Sequence, residues 1–278
     1  MIHKIRTAGA HAVIPHGDAW ADADRYMRES VMPLAGDAAI YAPPFDHEDI
    51  WEGNATLMRE VLSQMPGGEA PDVVVCSVGG GGLLNGVGIA LQERGGTWPT
   101  IVGVETAGAE SLAAAVKADS LVTLPRITSR ATSLGCARVT QMSLDIARRP
   151  EFRGCVLQDG EAAMGCWRLA DDERVMVELA CGVNVALCYG GRLEKALGRK
   201  VRKEEKVVIV LCGGSNVTLG MLEEWRREYG YLEDEEKMGE KEVDGPMIEE
   251  PVYEEERVRV PGRRWAEEGE VLQLEAKL

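Results

Sequence analysis

Histidine is scarce: His3, His11, His16 and His47 are the only four, and all precede Asp49. The seven cysteines run from Cys76 to Cys212 without one Cys-x-x-Cys pair, so a zinc site built from histidine and cysteine is not expected. Their odd number and apolar surroundings speak against a disulfide framework and for reduced thiols in a cytoplasmic protein. No apolar stretch is long enough to span a bilayer, and Met1 does not open a secretory signal, so nothing points to a membrane or an exported protein. There is no Gly-x-Ser-x-Gly elbow for a hydrolase nucleophile. Basic charge is short as well. Lysine and arginine total 31 against 46 acids, a net charge of −15, the reverse of the basic stripe that nucleic acid requires.

At 278 residues the chain can hold one large or two modest domains. Much of the acid sits near the end. Residues 231–257 hold twelve acids and three bases, with Gly245-Pro246 and Pro251 interrupting any periodicity. Such a segment repels itself and buries little, so 231–278 reads as a largely disordered extension with a short helix near Ala266 to Leu278. An acidic tail for protein interaction is the functional alternative.

The most informative stretch is Pro71-Asp-Val-Val-Val-Cys-Ser-Val-Gly-Gly-Gly-Gly-Leu-Leu-Asn-Gly86. The run Val73 to Val75 reads as a buried strand, Gly79 to Gly82 as a tight turn, and the residues from Leu83 as a helix. Four residues without Cβ let the backbone turn several N–H groups toward one point, and the helix start adds unpaired amides and the positive end of its dipole. That arrangement favours a phosphate or another small anion; a ligand-free turn is the plainer alternative. No register gives the dinucleotide fingerprint, although Glu105 stands about where a ribose-binding acid would. No lysine occurs between Gly79 and Lys117, so the stretch is not a nucleotide P-loop.

A second loop of this kind is Val207-Val-Ile-Val-Leu-Cys-Gly-Gly-Ser-Asn-Val-Thr-Leu219. Ligands collect outside the carboxyl ends of strands in open α/β sheets, so the two loops can form opposite walls of one site or be two independent turns. Elsewhere, Asp22 to Val31 reads as helix and Ala38 to Tyr41 as strand. His47 to Met65 reads as a long helix with Leu57, Val61 and Leu62 at helical spacing. Ile101 to Val104 is a strand and Ala107 to Ala118 a helix. Val175 to Leu187 is a helix with Glu178 leaning inward, Val207 to Leu211 the last strand, and a helix opens at Leu219. The alternation predicts an α/β fold with a mostly parallel sheet.

Ser77-Val-Gly-Gly-Gly-Gly-Leu-Leu84, Val104-Glu-Thr-Ala-Gly-Ala-Glu-Ser111 and Cys212-Gly-Gly-Ser-Asn216 resemble successive motifs of the L-serine/L-threonine dehydratases. Pro43-Pro-Phe-Asp46 with Trp51-Glu-Gly53, Leu124-Pro-Arg-Ile-Thr-Ser129, Ser133-Leu-Gly-Cys136, and Asp171-Asp-Glu173 leading to Val177-Glu-Leu-Ala-Cys-Gly182 follow in the same order. The resemblance covers roughly residues 1–230, and the Cys-Gly-Gly-Ser-Asn form is closest to the serine dehydratase branch. It implies the three-layer tryptophan-synthase-β-like fold of the pyridoxal-phosphate enzymes, fold type II. Residues 1–45 would be a remnant of the small domain, 46–230 the large cofactor domain, and 231–278 the extension.

The resemblance also implies roles. The amides of Gly79, Gly80, Gly81, Gly82 and Leu83 would hold the phosphate of pyridoxal 5'-phosphate, and Cys212 would face the pyridine nitrogen. A neutral thiol there leaves that nitrogen unprotonated, which suits rapid β-elimination. Glu105 with the carbonyls of Ala109, Leu134 and Cys136 would bind a structural monovalent cation such as K+; a helix-terminal acid is the equal alternative for Glu105. Ser133 stands where the family usually has alanine beside the substrate, which leaves the preference between serine and threonine open. A homodimer is also left open. The implied reaction is α,β-elimination of L-serine, or of L-threonine, to a keto acid and ammonia.

Family members carry an earlier Ser-x-Lys motif, whose lysine forms the Schiff base with the cofactor, and a Ser-Ser/Gly-Gly-Asn motif; neither stands in these 278 residues. Met1 to Val13 resembles the helix and strand that follow those motifs. Lys4 lies only 75 positions before Gly79, too near for the family lysine, and reads as a solvated helix residue. The expectation is therefore a dehydratase chain inactive by itself, its catalytic lobe not in this stretch. The alternative is a short non-catalytic paralogue serving in binding or regulation.

Overall fold

Val73–Ser77 (β1) is buried on every residue, so neither face of the strand can meet water. A parallel sheet covered by helices on both sides accommodates such a run. The computed structural model describes residues 2–17 and 20–233, which belong to one compact unit. The acidic extension read from 231–278 lies outside the described residues beyond Glu233, and so does the short helix expected near its end.

The chain opens with α1 (Ile2–Thr7) and α2 (Trp20–Tyr26), which continues through a π-turn at Met27–Val31 into α3 (Met32–Ala35). Then come α4 (Glu48–Gln64), β1, α5 (Gly82–Arg94), β2 (Thr100–Thr106), α6 (Ser111–Ala118), α7 (Gln141–Ala147) and β3 (Phe152–Leu157). The rest is α8 (Asp159–Glu173), α9 (Leu179–Ala186), α10 (Arg192–Leu197), β4 (Val207–Ile209) and α11 (Leu219–Tyr229). The four strands are parallel in the order β3-β2-β1-β4, with Val73 facing Thr100 on one side and Val207 on the other. The expected α/β fold with a parallel sheet is what forms.

Alternation along β1 divides the core. Val73 and Val75 face α8, α9 and α11, whereas Val74 and Cys76 face α4, α5 and α7. The result is three layers. Helix starts are written locally: Thr140 and Thr218 accept the N–H groups of Ser143 and Met221, and Gln158 and Glu161 form a capping box on α8.

Ala38 to Tyr41 is not a strand. The residues from Ala39 to Tyr41 are irregular, Ile40 is almost fully exposed, and the Tyr41 hydroxyl is tied to Asp24 at 2.7 Å instead of the backbone being tied to a ladder. α6 is shorter than the expected helix from Ala107, because residues 107–110 form the turn that delivers Glu105 to its first amides. Among the described residues no helix is long and apolar enough to cross a membrane.

Candidate active site

β1 and β4 lie side by side, so the loops leaving their carboxyl ends share one cleft of about 440 Å³. Gly79 to Leu83 form one wall and Cys212 stands opposite. Thr132 to Cys136 close a third side, and Glu178, Ala180 and Cys181 from the start of α9 form the floor. Trp20 and Phe45 cover the glycine side. The cleft therefore brings together Gly79, Gly80, Gly81, Gly82, Leu83, Ser133, Leu134, Cys136 and Cys212. It does not include Glu105 and Ala109.

The glycine loop presents its amides and hides its carbonyls. Gly80 O accepts the Thr140 N–H at 3.1 Å and Gly81 O the Asn85 N–H at 2.8 Å, both on the side away from the cleft. The Gly80 amide faces the Cys136 thiol. Among the described residues, the N–H groups of Gly79, Gly81, Gly82 and Leu83 meet no acceptor. Unpaired amides beside a helix start fit an anion of phosphate size. Two of these positions also exclude side chains: a Cβ on Gly80 would lie 2.3 Å from the Phe45 ring, and one on Gly81 would lie 2.0 Å from Ser143 Oγ. The space around the loop is thus filled by the protein's own side chains as well as shaped for a ligand.

The opposite loop is held by α9. Cys181 Sγ accepts the Cys212 N–H at 3.2 Å, Glu178 accepts the Asn216 N–H at 3.1 Å, and Asn216 Nδ2 reaches Ser133 Oγ at 3.4 Å. Asp159 fixes the third side from below, accepting from Ser129 Oγ at 2.6 Å and the Arg130 N–H at 2.7 Å. Lys4 does not reach into the cleft. Its Nζ donates to the carbonyl and, at 3.3 Å, to the hydroxyl of Ser215, on the outside of the β4–α11 loop. Among the described residues no lysine lines the cleft.

Partial burial in the cleft, together with the nearby Cys181 thiol and Glu178 carboxylate, pushes the Cys212 thiol up to about 11, although the residue keeps an exposed side. It is neutral at physiological pH. Alkylation of Cys212 by iodoacetamide at pH 7.5 should therefore run about two orders of magnitude slower than that of free cysteine. Its rate should rise through pH 11; peptide mapping that found an inflection near 8.5 would contradict this environment.

Glu105 is 3% exposed and accepts the N–H groups of Leu112 and Ala113 at 2.7 and 2.8 Å, so it caps α6. Burial outweighs these two bonds and pushes its carboxyl up to about 7. An acid with a raised folded pKa stabilises the fold fully below its unfolded value near 4.5, and that contribution is lost as pH rises through 7. The expected loss is on the order of 3 kcal/mol. Glu105→Gln keeps an acceptor without the charge, so urea melts from pH 4.5 to 8 should show this slope in the parent and not in the variant. Equal slopes would remove Glu105 as its source.

A family model described as pyridoxal-phosphate dependent enzyme matches residues 1–213. The chain belongs to that family. An L-serine dehydratase of Saccharomyces cerevisiae is 39% identical over 228 residues, which cover 78% of this chain and 67% of the yeast protein. A serine dehydratase-like protein of Rattus norvegicus is 39% identical over 230 residues, covering 82% of this chain and 68% of that one. The crystal structure of an L-serine ammonia-lyase from Rhizomucor miehei superposes with a TM-score of 0.74 at 33% identity, covering 82% of this chain and 70% of the fungal one. This chain therefore spans about two thirds of the relatives it matches. Its fold is that of the type II pyridoxal-phosphate enzymes, and its homologues are serine dehydratases, which are lyases.

The cleft also holds parts that the sequence reading missed. Trp20 and Phe45 pack together at 5.7 Å over the glycine loop, and Cys181 and the Cys136 thiol face the same space. Phe45, Cys136 and Cys181 stand inside motifs quoted above that carried no side-chain role at this cleft, and nothing local marks Trp20.

Proposed function

We propose that this chain is the cofactor-binding part of an L-serine ammonia-lyase, acting on L-serine and open to L-threonine, with pyruvate or 2-oxobutyrate and ammonia as products. The observation that carries the reading is the set of unpaired amides of Gly79, Gly81, Gly82 and Leu83 in one cleft with Cys212. In that reading the amides of Gly79, Gly80, Gly81, Gly82 and Leu83 bind the phosphate of pyridoxal 5'-phosphate and the neutral Cys212 thiol faces its ring nitrogen. When bound, the cofactor would supply the electron sink for loss of the α-proton and the β-hydroxyl. Ser133, held by Asn216, lies beside the amino-acid substrate. Glu105 and the carbonyls of Ala109, Leu134 and Cys136 hold a monovalent cation, for which Glu105 keeps lone pairs beyond its two amides. Residues 1–45 serve as part of a small domain and 46–230 as the large one.

Among the described residues no lysine lines the cleft, and in this reading the chain by itself binds the cofactor without a covalent bond and releases no keto acid. A non-catalytic, cofactor-binding paralogue is the second reading, favoured by the same observation. The test mixes the chain with pyridoxal 5'-phosphate, reduces with borohydride, maps peptides and assays pyruvate from L-serine. Phosphate-dependent binding, no labelled lysine and no pyruvate are expected. Adding a family segment with the Ser-x-Lys and asparagine motifs should restore turnover under the lyase reading and fail to do so for a paralogue. Labelling at Lys4, with activity lost in Lys4→Ala, would overturn the claim of an incomplete site.

A further inference from the structure

Behind the glycine loop, on the side away from the cleft, three buried polar side chains close a ring. Asn85 Nδ2 donates to Thr140 Oγ1 at 2.9 Å, and the Thr140 hydroxyl lies 2.9 Å from Ser143 Oγ. The Ser143 hydroxyl sits 2.6 Å from Asn85 Oδ1 and 3.2 Å from the Gly81 carbonyl, and donates between them. Asn85 and Ser143 have no exposed surface and Thr140 has 2%. Burying three polar side chains costs free energy unless each is satisfied, and here they satisfy one another.

The ring is built onto the loop. The Thr140 N–H holds Gly80 O and the Asn85 N–H holds Gly81 O, while Ser143 Oγ occupies the space where a Gly81 side chain would be. A peptide whose carbonyl is held in one direction has its N–H held in the other, because the unit is planar and trans. The carbonyls of Gly80 and Gly81 fix the directions of the next amides, those of Gly81 and Gly82. Both are among the unpaired N–H groups of the cleft.

We propose that Asn85, Thr140 and Ser143 are positioning residues that preset the glycine-loop amides for an oxyanion ligand of phosphate size. They act through the backbone of Gly80 and Gly81 and do not touch the ligand. This deepens the cofactor reading above and rests on it for the identity of the ligand. The ring does not require that ligand to be pyridoxal phosphate.

Thr140 also caps α7, so its loss would mix two effects. Asn85→Leu breaks the ring, leaves that cap intact and keeps the branched shape and the number of heavy atoms of the side chain. The full chain, labelled with [15N]glycine, is compared with this variant at a temperature where circular dichroism shows both folded. Two things are read: the amide resonances of the glycines, and the affinities for inorganic phosphate and pyridoxal 5'-phosphate by equilibrium titration. The expected result is that Gly81 and Gly82 shift while Gly103 and Gly154 in the strands stay, and that both affinities fall about tenfold. A change confined to stability would move neither the glycine pattern nor the two affinities together.

Unmoved loop resonances with both affinities within twofold of the parent would overturn the proposal and leave the cofactor reading standing. A parent that binds inorganic phosphate but not pyridoxal 5'-phosphate, with the phosphate affinity still lost in the variant, would support the ring and sink the cofactor reading. A parent that binds neither overturns both. If Asn85→Leu does not fold, Ser143→Ala carries the same comparison, since it keeps Asn85 and the Ser143 N–H that caps on Thr140.

Discussion

Gly81→Ala should destabilise the chain by about 2–5 kcal/mol and abolish cofactor binding in whatever folds. Gly81 has φ +97°, where a Cβ costs about 1–2 kcal/mol. That Cβ would also lie 2.0 Å from Ser143 Oγ and 2.9 Å from Ser143 Cβ, an overlap whose relief typically costs about 1–3 kcal/mol more. Against a total of about 5–15 kcal/mol for a native protein the loss is large. Gly53 in α4 is the control. Its Cβ would meet nothing within 4 Å, so Gly53→Ala should stabilise by up to about 1 kcal/mol. The double variant Gly81→Ala with Ser143→Ala should recover part of the loss, because the hydroxyl overlap is gone and the backbone strain remains. Urea melts of the three variants decide it; a Gly81→Ala midpoint equal to the parent's would show that the loop is not packed as described.

The parts of the fold that were legible in the sequence are those where burial is continuous. Val73 to Val75 and Ile101 to Val104 are apolar runs because the two central strands are covered on both faces, and the glycines after the first mark where side chains must be absent. Val207 to Ile209 is an apolar run on a half-buried edge strand. β3 was not legible. It is an edge strand whose middle residues Arg153 and Gly154 are exposed, with only Phe152 and Leu157 buried, so no run or alternation announces it. α8 hid for a different reason. Its buried face is made mostly of Gly160, Ala162, Ala163 and Gly165, which permit close approach but carry little hydrophobic contrast. Ala38 to Tyr41 shows the opposite error, since β-prone residues without a neighbouring strand have nothing to pair with.

The candidate site was legible to the same partial degree. Glycines at one strand end and Cys-Gly-Gly at another suggest two walls, and parallel pairing of β1 with β4 sets them together. The ring behind the loop could not be read in advance, because Asn85 finds Thr140 and Ser143 more than fifty residues away and none is unusual alone. Glu178 was visible as an inward-leaning acid. That it holds the Asn216 amide, and so the far wall, needed the geometry.

That far wall depends on how closely α9 lies on α8, and Gly182→Ala should therefore be the second severe substitution. The two helices touch backbone to backbone through reciprocal glycines. A Cβ on Gly165 would lie 2.2 Å from Gly182 O, and one on Gly182 would lie 2.4 Å from Ala162 O and 2.2 Å from Cys166 Sγ. A sulfur can turn aside, but a helical carbonyl cannot move without its helix, so the helices must separate. The expected cost is about 3 kcal/mol or more. Separation would also carry Cys181 away from the Cys212 N–H and expose Cys166, which has no accessible surface in the parent. Below the melting transition, Cys166 in Gly182→Ala should be alkylated at least about tenfold faster than in the parent, as expected when a buried thiol becomes accessible. Adding Cys166→Ala removes the sulfur overlap and leaves the carbonyl one, so stability should return only in small part. Full recovery in that double variant would mean that the sulfur alone sets the helix distance, and that α9 is not fixed through its backbone.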